Sequence, residues 1–75
     1  MVISVPARER GIVKWFNDEK GCGFICRPDD RGDAYVVATQ LRNAGEGCLY
    51  DGQEVEFDAV PGERGVEARD VVALS

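Results

Sequence analysis

Hydrophobic and polar residues alternate in several short runs of this sequence, and the clearest run is Glu54 to Val60. In this run the apolar residues Val55, Phe57 and Ala59 alternate with the acidic residues Glu54, Glu56 and Asp58. Successive side chains of a β-strand point to opposite faces of the sheet, so this alternation is typical of a strand with one buried and one solvated face. Phe57 is therefore predicted to lie in the core.

Glycine and proline divide the chain into further short runs that are rich in Val, Ile, Phe, Tyr and Trp. Together the runs predict five strands, at Glu9 to Asn17, Cys22 to Arg27, Ala34 to Val37, Glu54 to Val60 and Glu67 to Leu74. Five strands in so short a chain favour an all-β fold, either a five-stranded antiparallel barrel of the oligonucleotide-binding (OB) type or an SH3-like barrel. The long connection from Ala38 to Gly52 separates the third and fourth strands and favours the OB type.

Alternation also places aromatic side chains on the outer face of the second and third strands. Ile25 and Val36 are the natural core residues of these strands, so Phe24 and Tyr35 are predicted to point outward. The simplest explanation of these two rings is that they cover the rim of a small barrel. The other explanation is that they form a binding surface.

The first strand adds a further aromatic residue to this face, together with positive charge. Trp15 and Phe16 are adjacent, so in a regular strand one of them points outward, beside Lys14 and Lys20. Exposed rings among basic side chains form a stacking platform with an electrostatic guide, an arrangement that binds single-stranded nucleic acid.

Chain length and composition restrict the class of protein. With 75 residues the chain makes one domain, which we divide into an N-terminal extension (1–8) and a core (9–74). A domain of this size buries only about 60% of its unfolded surface, so a binding surface is more plausible than a deep active site. Its apolar runs are too short to cross a bilayer, and Met1 to Pro6 lacks the features of a secretion signal. We therefore expect a cytoplasmic protein.

The cysteines do not indicate a metal site, and no cofactor is predicted. The chain has three cysteines and no histidine, whereas a structural zinc site needs four ligands. Cys22 and Cys26 would lie about 13 Å apart along one strand, too far for a shared metal or a disulfide. Reduced thiols that act as small apolar side chains are the simpler interpretation. A redox role for Cys22, close to Lys20, is the alternative.

Charge is distributed unevenly along the chain. The net charge is −5, from 9 basic and 14 acidic residues. Through Pro28 there are five basic and three acidic residues, a balance of +2, and from Asp29 onward four basic and eleven acidic residues give −7. If the protein contacts a polyanion, the first third of the chain is expected to do so.

Two segments resemble a known family. The stretch GIVKWFNDEKGCGFI, Gly11 to Ile25, is similar to the pattern G-x-V-K-W-F-N followed by K-G-[FY]-G-F-I in bacterial cold-shock domains. The stretch DGQEVEF, Asp51 to Phe57, resembles E-G-Q-x-V-x-F of the same family. The resemblance extends with little gapping from Gly11 to Leu74.

The resemblance implies an OB-type barrel that binds single-stranded RNA or DNA by base stacking, without a metal or cofactor. Family members act as RNA chaperones or as regulators of transcription and translation. The family's binding roles fall on six residues, namely Lys14, Trp15, Phe16, Lys20, Phe24 and Tyr35. Asn17 and Asp29 also match family positions close to the bound strand.

Several positions depart from the family pattern, and most of them belong to the expected binding face. Cys22 stands where the first motif has Phe or Tyr, and AYVVA replaces V-F-V-H-F, so that Val37 and Ala38 stand in place of His and Phe. In the loops, Glu46 falls at an often aromatic position and Val66 at an often proline one. These departures predict binding of single strands with reduced affinity.

A protein-binding role and an enzymatic role are the alternatives to nucleic-acid binding. The apolar residues Cys22, Val37 and Ala38 could instead seat a protein partner, or the Ala38 to Gly52 connection could act as a hinge for a strand-exchanged dimer. An enzyme is disfavoured, because the sequence has no histidine and no convincing pair of nucleophile and base. The predicted partner is therefore single-stranded RNA or DNA, bound by a monomer or a strand-exchanged dimer.

Overall fold

A computed structural model describes residues 8–42 and 49–74 of the chain. These residues form five strands and one short 3₁₀ helix, η1 (Ala38–Gln40). The strands are β1 (Glu9–Asn17), β2 (Cys22–Cys26), β3 (Asp33–Val37), β4 (Glu54–Gly62) and β5 (Gly65–Ala73). The five predicted strands are confirmed; β1 has the predicted ends, and the ends of the other four differ by at most two residues.

The strands close into a barrel in the order β1-β2-β3-β5-β4, with β4 returning to β1. Strand β1 pairs antiparallel with both β2 and β4, and the pairs β2–β3 and β4–β5 are also antiparallel. The barrel is closed by a parallel pairing of β3 with β5, at Tyr35 and Glu67. The all-β, five-stranded barrel predicted from the sequence is confirmed.

The core lies inside the barrel and consists of aliphatic side chains around Phe57, which is fully buried. Ile25 and Val36 are also fully buried, as the alternation predicted. The remaining buried hydrophobic residues are contributed by β1, β3, β4 and β5 and by the segment before β4, namely Val13, Ala34, Leu49, Val55, Ala68 and Val71. Because these residues point inward, their neighbours along β1, β2 and β3 form the outer face.

A β-bulge in β1 sets the orientation of the residues that follow it. Val13 pairs with Ile25 and Trp15 pairs with Phe24, so Lys14 is an extra residue without a partner in β2. An extra residue reverses the alternation of faces. Val13 therefore points into the core while Lys14 and Trp15, which are both exposed, follow each other on the outside.

The turn between β1 and β2 is held by Asn17. Its side-chain oxygen accepts a hydrogen bond from the Lys20 backbone N–H at 3.0 Å, and its carbonyl accepts one from Gly21 at 2.8 Å. Gly21 has a φ of 68°, a conformation that glycine adopts without strain. This turn places Lys20 at the end of the outer face of β1 and β2.

Candidate nucleic-acid interface

Three aromatic side chains lie side by side across β1, β2 and β3. Trp15 pairs with Phe24 and Phe24 pairs with Tyr35 in the sheet. The ring centroids of Trp15 and Phe24 are 5.3 Å apart, those of Phe24 and Tyr35 are 5.5 Å apart, and both contacts are edge-to-face. We call these three residues the ring row. Trp15 is 42% exposed, so its ring is open to a ligand.

Phe16 does not belong to the ring row. It pairs with Gly23, is half-buried, and packs against the core cluster. The sequence predicted that one of Trp15 and Phe16 points outward, and the bulge at Lys14 makes Trp15 that residue. Phe16 lies behind the ring row and supports β2 at Gly23.

The two lysines predicted for the site lie in β1 next to Trp15 and in the β1–β2 turn. Lys14 is exposed and its ammonium lies 3.1 Å from a carboxylate oxygen of Asp33. Such a solvent-exposed ion pair contributes only about 0–1 kcal/mol, so it does not prevent Lys14 from contacting a phosphate. Lys20 is exposed in the turn after β1.

Arg64 is a further basic residue at the ring row, and the sequence analysis did not identify it. Its guanidinium carbon lies 5.5 Å from the centroid of the Tyr35 ring, in cation–π contact. Arg64 belongs to the turn between β4 and β5, far from Tyr35 in sequence, and the parallel pairing of β3 with β5 brings the two together. The only signal in the sequence is a basic residue between two glycines in an otherwise acidic part of the chain.

Most other arginines of the described residues are held by carboxylates. Arg8 lies 3.3 Å from Asp58 and donates to the Asp70 carbonyl at 2.7 Å, and Arg42 pairs with the Asp70 carboxylate. The hydrogen bond from Arg42 lowers the pKa of Asp70. Of the basic residues considered for this face, Lys14 is adjacent to Trp15 and has only an exposed ion pair with Asp33, and Arg64 contacts the Tyr35 ring.

The substituted positions of the family pattern come together at one end of the same face. Cys22 pairs with Val37 in the sheet, and the Ala38 backbone N–H donates to the Gly21 carbonyl at 2.8 Å. All three of these side chains are partly buried. We call Cys22, Val37 and Ala38 the aliphatic end. The outer face is therefore aromatic at its centre and aliphatic where β2 begins and β3 ends.

Tyr35 connects the ring row to the aliphatic end. A hydrogen bond with the Cys22 side chain raises the pKa of the Tyr35 phenol above its usual value, and partial burial acts in the same direction. A phenol is already neutral at physiological pH at its usual pKa of about 10, and the upward shift leaves it so. Tyr35 therefore adds no negative charge to a face that is expected to bind phosphates.

The other residues named from the family pattern lie in turns or pack against the core. Asn17 forms the β1–β2 turn described above, and Asp29 lies exposed in the β2–β3 turn with a φ of 59°. Val66 is partly buried and packs against the core. Glu46 and Cys48 lie outside the described residues, as does the centre of the Ala38 to Gly52 connection.

Comparison with known proteins shows which family the chain belongs to. The profile of the "'Cold-shock' DNA-binding domain" matches residues 9–74. The chain is 49% identical over 65 residues to the cold shock-like protein CspC of Bacillus cereus, an alignment that covers 87% of this chain and 98% of that protein. It is 47% identical over 66 residues to the cold shock protein CspB of Bacillus caldolyticus, covering 88% and 98% of the two chains.

The chain belongs to the cold-shock domain family. This membership confirms the resemblance seen at Gly11 to Ile25 and gives the protein its class, which is nucleic-acid-binding and not enzymatic. A solved structure described as drosophila Unr CSD456 has the same fold, with a TM-score of 0.72 at 21% sequence identity. That alignment covers 92% of this chain and 27% of the other one.

Among residues 8–42 and 49–74, no group of three or more His, Cys, Asp or Glu side chains is arranged to hold a metal ion. The helical part of that region is the single turn η1, which is far too short to span a bilayer. The Cys22 and Cys26 thiols are free.

Proposed function

We propose that this cold-shock protein binds single-stranded RNA or DNA in the cytoplasm by stacking bases on the ring row, with weakened affinity. The observation that carries the proposal is the alignment of Trp15, Phe24 and Tyr35 across three neighbouring strands. Every base has an aromatic face, so such a row accepts bases of any sequence, each worth about 1–3 kcal/mol.

Basic side chains around the ring row supply the second part of the interaction. Lys14 precedes Trp15 directly, Lys20 lies in the adjoining turn, and Arg64 contacts Tyr35. When these cations meet phosphates, counterions are released from the nucleic acid, so binding should weaken with salt. The proposed site therefore contains the six residues expected from the sequence, with Phe16 as a supporting residue and Arg64 added.

Weak binding follows from the aliphatic end. A thiol, a valine and an alanine cannot stack on a base as an aromatic ring does, although they stay on the ligand side of the barrel. A protein that binds single strands loosely and without sequence preference can keep RNA from forming stable secondary structure. An RNA chaperone or a regulator of transcription or translation fits this behaviour.

Replacement of Phe24 by alanine tests the proposal, because Phe24 is the central ring and touches both of its neighbours. Phe24→Ala is expected to weaken binding of a short oligothymidine by about 1–3 kcal/mol. Isothermal titration calorimetry measures this change, and circular dichroism checks that the barrel stays folded. Tyr50→Ala is the matched control, since Tyr50 is a 63% exposed aromatic outside the ring row. Equal affinity of wild type and Phe24→Ala would place the site elsewhere.

A second candidate function rests on the aliphatic end. Cys22, Val37 and Ala38 form a smooth apolar surface next to the ring row, and such a surface suits a protein partner or a second copy of the chain. A strand-exchanged dimer is the specific form considered, with the Ala38 to Gly52 connection as the hinge. Light scattering distinguishes the candidates, since a mass that stays monomeric at high protein concentration excludes the dimer.

A further inference from the structure

An open groove of about 250 Å³ lies on the outer face beyond Trp15. It is lined by residues from the first half of β1 and the end of β2, namely Arg10, Gly11, Ile12, Cys26, Arg27 and Pro28. We call it the Ile12 groove. Its floor is the pair of Ile12 and Cys26, which face each other across the two strands.

The groove exposes apolar side chains to water. Ile12 lies on the outer face because its neighbours Gly11 and Val13 are buried inside the barrel, and it is 45% exposed. Cys26 and Pro28 are exposed as well. Water around an exposed aliphatic side chain costs free energy, and this cost is removed when a ligand covers the side chain.

The groove continues the ring row. Phe24 and Cys26 are two residues apart on β2, so they share a face and lie about 7 Å apart along the strand. On β1 the bulge at Lys14 keeps Ile12 and Trp15 on the same outer face although three positions separate them. A nucleotide next to the one stacked on Trp15 would therefore reach the groove without a change of direction.

Both signs of charge occur at the groove. Two arginines belong to its lining, while Glu54 pairs with Ile12, and Glu56 with Arg10, across β1 and β4. Arg10 is 68% exposed and its nearest carboxylate oxygen, on Glu56, is 3.7 Å away. Arg27 is only 11% exposed and donates to Glu9 at 3.0 Å, so its guanidinium is held in place. Arg10 is therefore the arginine of the groove that can contact a phosphate.

From this combination we infer that the Ile12 groove is an additional nucleotide subsite, which binds one more base of the same single strand on Ile12 and Cys26 with its phosphate at Arg10. The inference rests on the proposed function, because it extends the path of the strand bound at the ring row. It predicts that affinity rises when the strand is long enough to reach from Tyr35 past Trp15.

Oligothymidines of about three to ten nucleotides test the subsite, each titrated against wild type, Ile12→Glu and Ile12→Tyr. The shortest oligothymidine that saturates the quenching of Trp15 fluorescence should bind all three proteins within about twofold, because it does not reach the groove. A longer strand should bind Ile12→Glu about fivefold more weakly and Ile12→Tyr about fivefold more tightly than wild type, equivalent to about 1 kcal/mol each.

Leu74→Glu is the matched control for the added carboxylate. Leu74 is an aliphatic residue of similar exposure, 40%, that follows β5 and does not line the groove. The affinity of Leu74→Glu relative to wild type should be the same for short and long strands. The Ile12 methyl resonances of the wild type give a second measurement that needs no variant, and they should shift with the long strand but not with the short one.

The experiments distinguish a missing subsite from a wrong proposed function. If Ile12→Glu weakens short and long strands equally, or if the Ile12 methyl resonances do not move with the long strand, the subsite does not exist while the ring row still binds. A groove that serves a peptide or a second protein copy would give this second result. If no oligothymidine of any length binds the wild type, the proposed function and the subsite are both wrong.

Discussion

Cys22 is the residue at which this protein differs most clearly from the first motif of its family, since the family pattern has Phe or Tyr there. The thiol lies next to Tyr35 and opposite Val37 on the outer face of the barrel. At the neighbouring position Ala38 a second ring is missing. If each absent ring would hold a base at about 1–3 kcal/mol, the two losses amount to about 2–6 kcal/mol, or roughly 30-fold to 10,000-fold in affinity.

Restoring the missing rings should reverse this loss. We expect the double substitution Cys22→Phe and Ala38→Phe to tighten binding of an oligothymidine at least about tenfold, because both side chains start from the ligand side of the barrel. Calorimetric titration of the variant and the wild type under the same salt conditions measures the gain. If affinity does not rise, bases do not reach these two positions.

Side-chain alternation predicted the buried residues well and the exposed rings in part. Phe57, Ile25 and Val36 are all fully buried because strict alternation in a two-faced strand leaves no other place for them. The choice between Trp15 and Phe16 could not be made from the pattern. It depends on the bulge at Lys14, which arises from how β1 pairs with β2 and β4 rather than from a local preference.

At the scale of elements, the close pairing of β1 with β2 positions the ring row. Gly23 lies in β2 opposite Phe16. A Cβ atom added at Gly23 would approach the Trp15 carbonyl oxygen to 2.2 Å and the Phe16 Cα to 2.7 Å. Both contacts are with backbone atoms, which cannot move without shifting β1. The absence of a side chain at Gly23 therefore allows the close pairing that aligns Trp15 with Phe24.

Gly23→Ala should accordingly destabilise the protein by about 3 kcal/mol and lower nucleic-acid affinity in whatever folded fraction remains. Urea unfolding followed by circular dichroism measures the loss. Gly32→Ala is the control, since a Cβ there meets no atom within 4 Å and only the φ of +88° opposes it, at about 1–2 kcal/mol. Equal destabilisation by the two substitutions would show that the close approach at Gly23 does not matter.

The hairpin of β4 and β5 is longer than the sequence pattern predicts. Because Pro61, Gly62 and Gly65 are typical of a turn, the predicted β4 ends at Val60 and the predicted β5 begins at Glu67. Instead the ladder continues to Gly62 and Gly65, with Pro61 opposite Val66. The extension carries Arg64 toward Tyr35, a contact between residues far apart in the chain that no local pattern contains.

At the scale of the whole molecule, a partly buried ion pair joins the start of β1 to Arg27, the residue after β2. The Arg27 guanidinium donates to both carboxylate oxygens of Glu9, at 3.0 and 3.2 Å, and to the Arg31 carbonyl at 3.1 Å. The hydrogen bond from Arg27 lowers the pKa of Glu9 below its usual value of 4.5. Ionised Glu9 therefore stabilises the fold above about pH 4.5, and this stabilisation is lost as the pH falls through the lowered pKa.

Glu9→Gln should reduce the free energy of unfolding by about 1–2 kcal/mol at pH 7, because a charge-assisted bidentate interaction becomes a neutral one. The difference from wild type should shrink as the pH falls below 4.5, where Glu9 of the wild type also becomes protonated. Urea unfolding at pH 7 and at several acidic pH values measures both effects. Glu63→Gln, in the exposed β4–β5 turn, serves as the control. A difference that is independent of pH would contradict the assigned role of the Glu9 charge.

Charge distribution over the molecule connects its acidic composition with its function. The net charge of −5 argues against a protein that binds nucleic acid by phosphate contacts alone. Arg8, Arg27 and Arg42 are held by carboxylates in part-buried or bidentate contacts. Lys14 has only an exposed ion pair with Asp33, and Arg64 contacts the Tyr35 ring. Stacking is therefore expected to supply most of the affinity, and the basic side chains to orient the strand.

Titration of the wild-type protein with a short oligothymidine, followed by tryptophan fluorescence at two salt concentrations, tests this account most directly. Trp15 is the only tryptophan of the chain, so the signal reports on the ring row itself. The account predicts quenching that saturates in the micromolar range and weakens at higher salt. A fluorescence signal that stays flat up to about a millimolar would contradict it, since stacking even on the rings that remain should hold a strand well below that concentration.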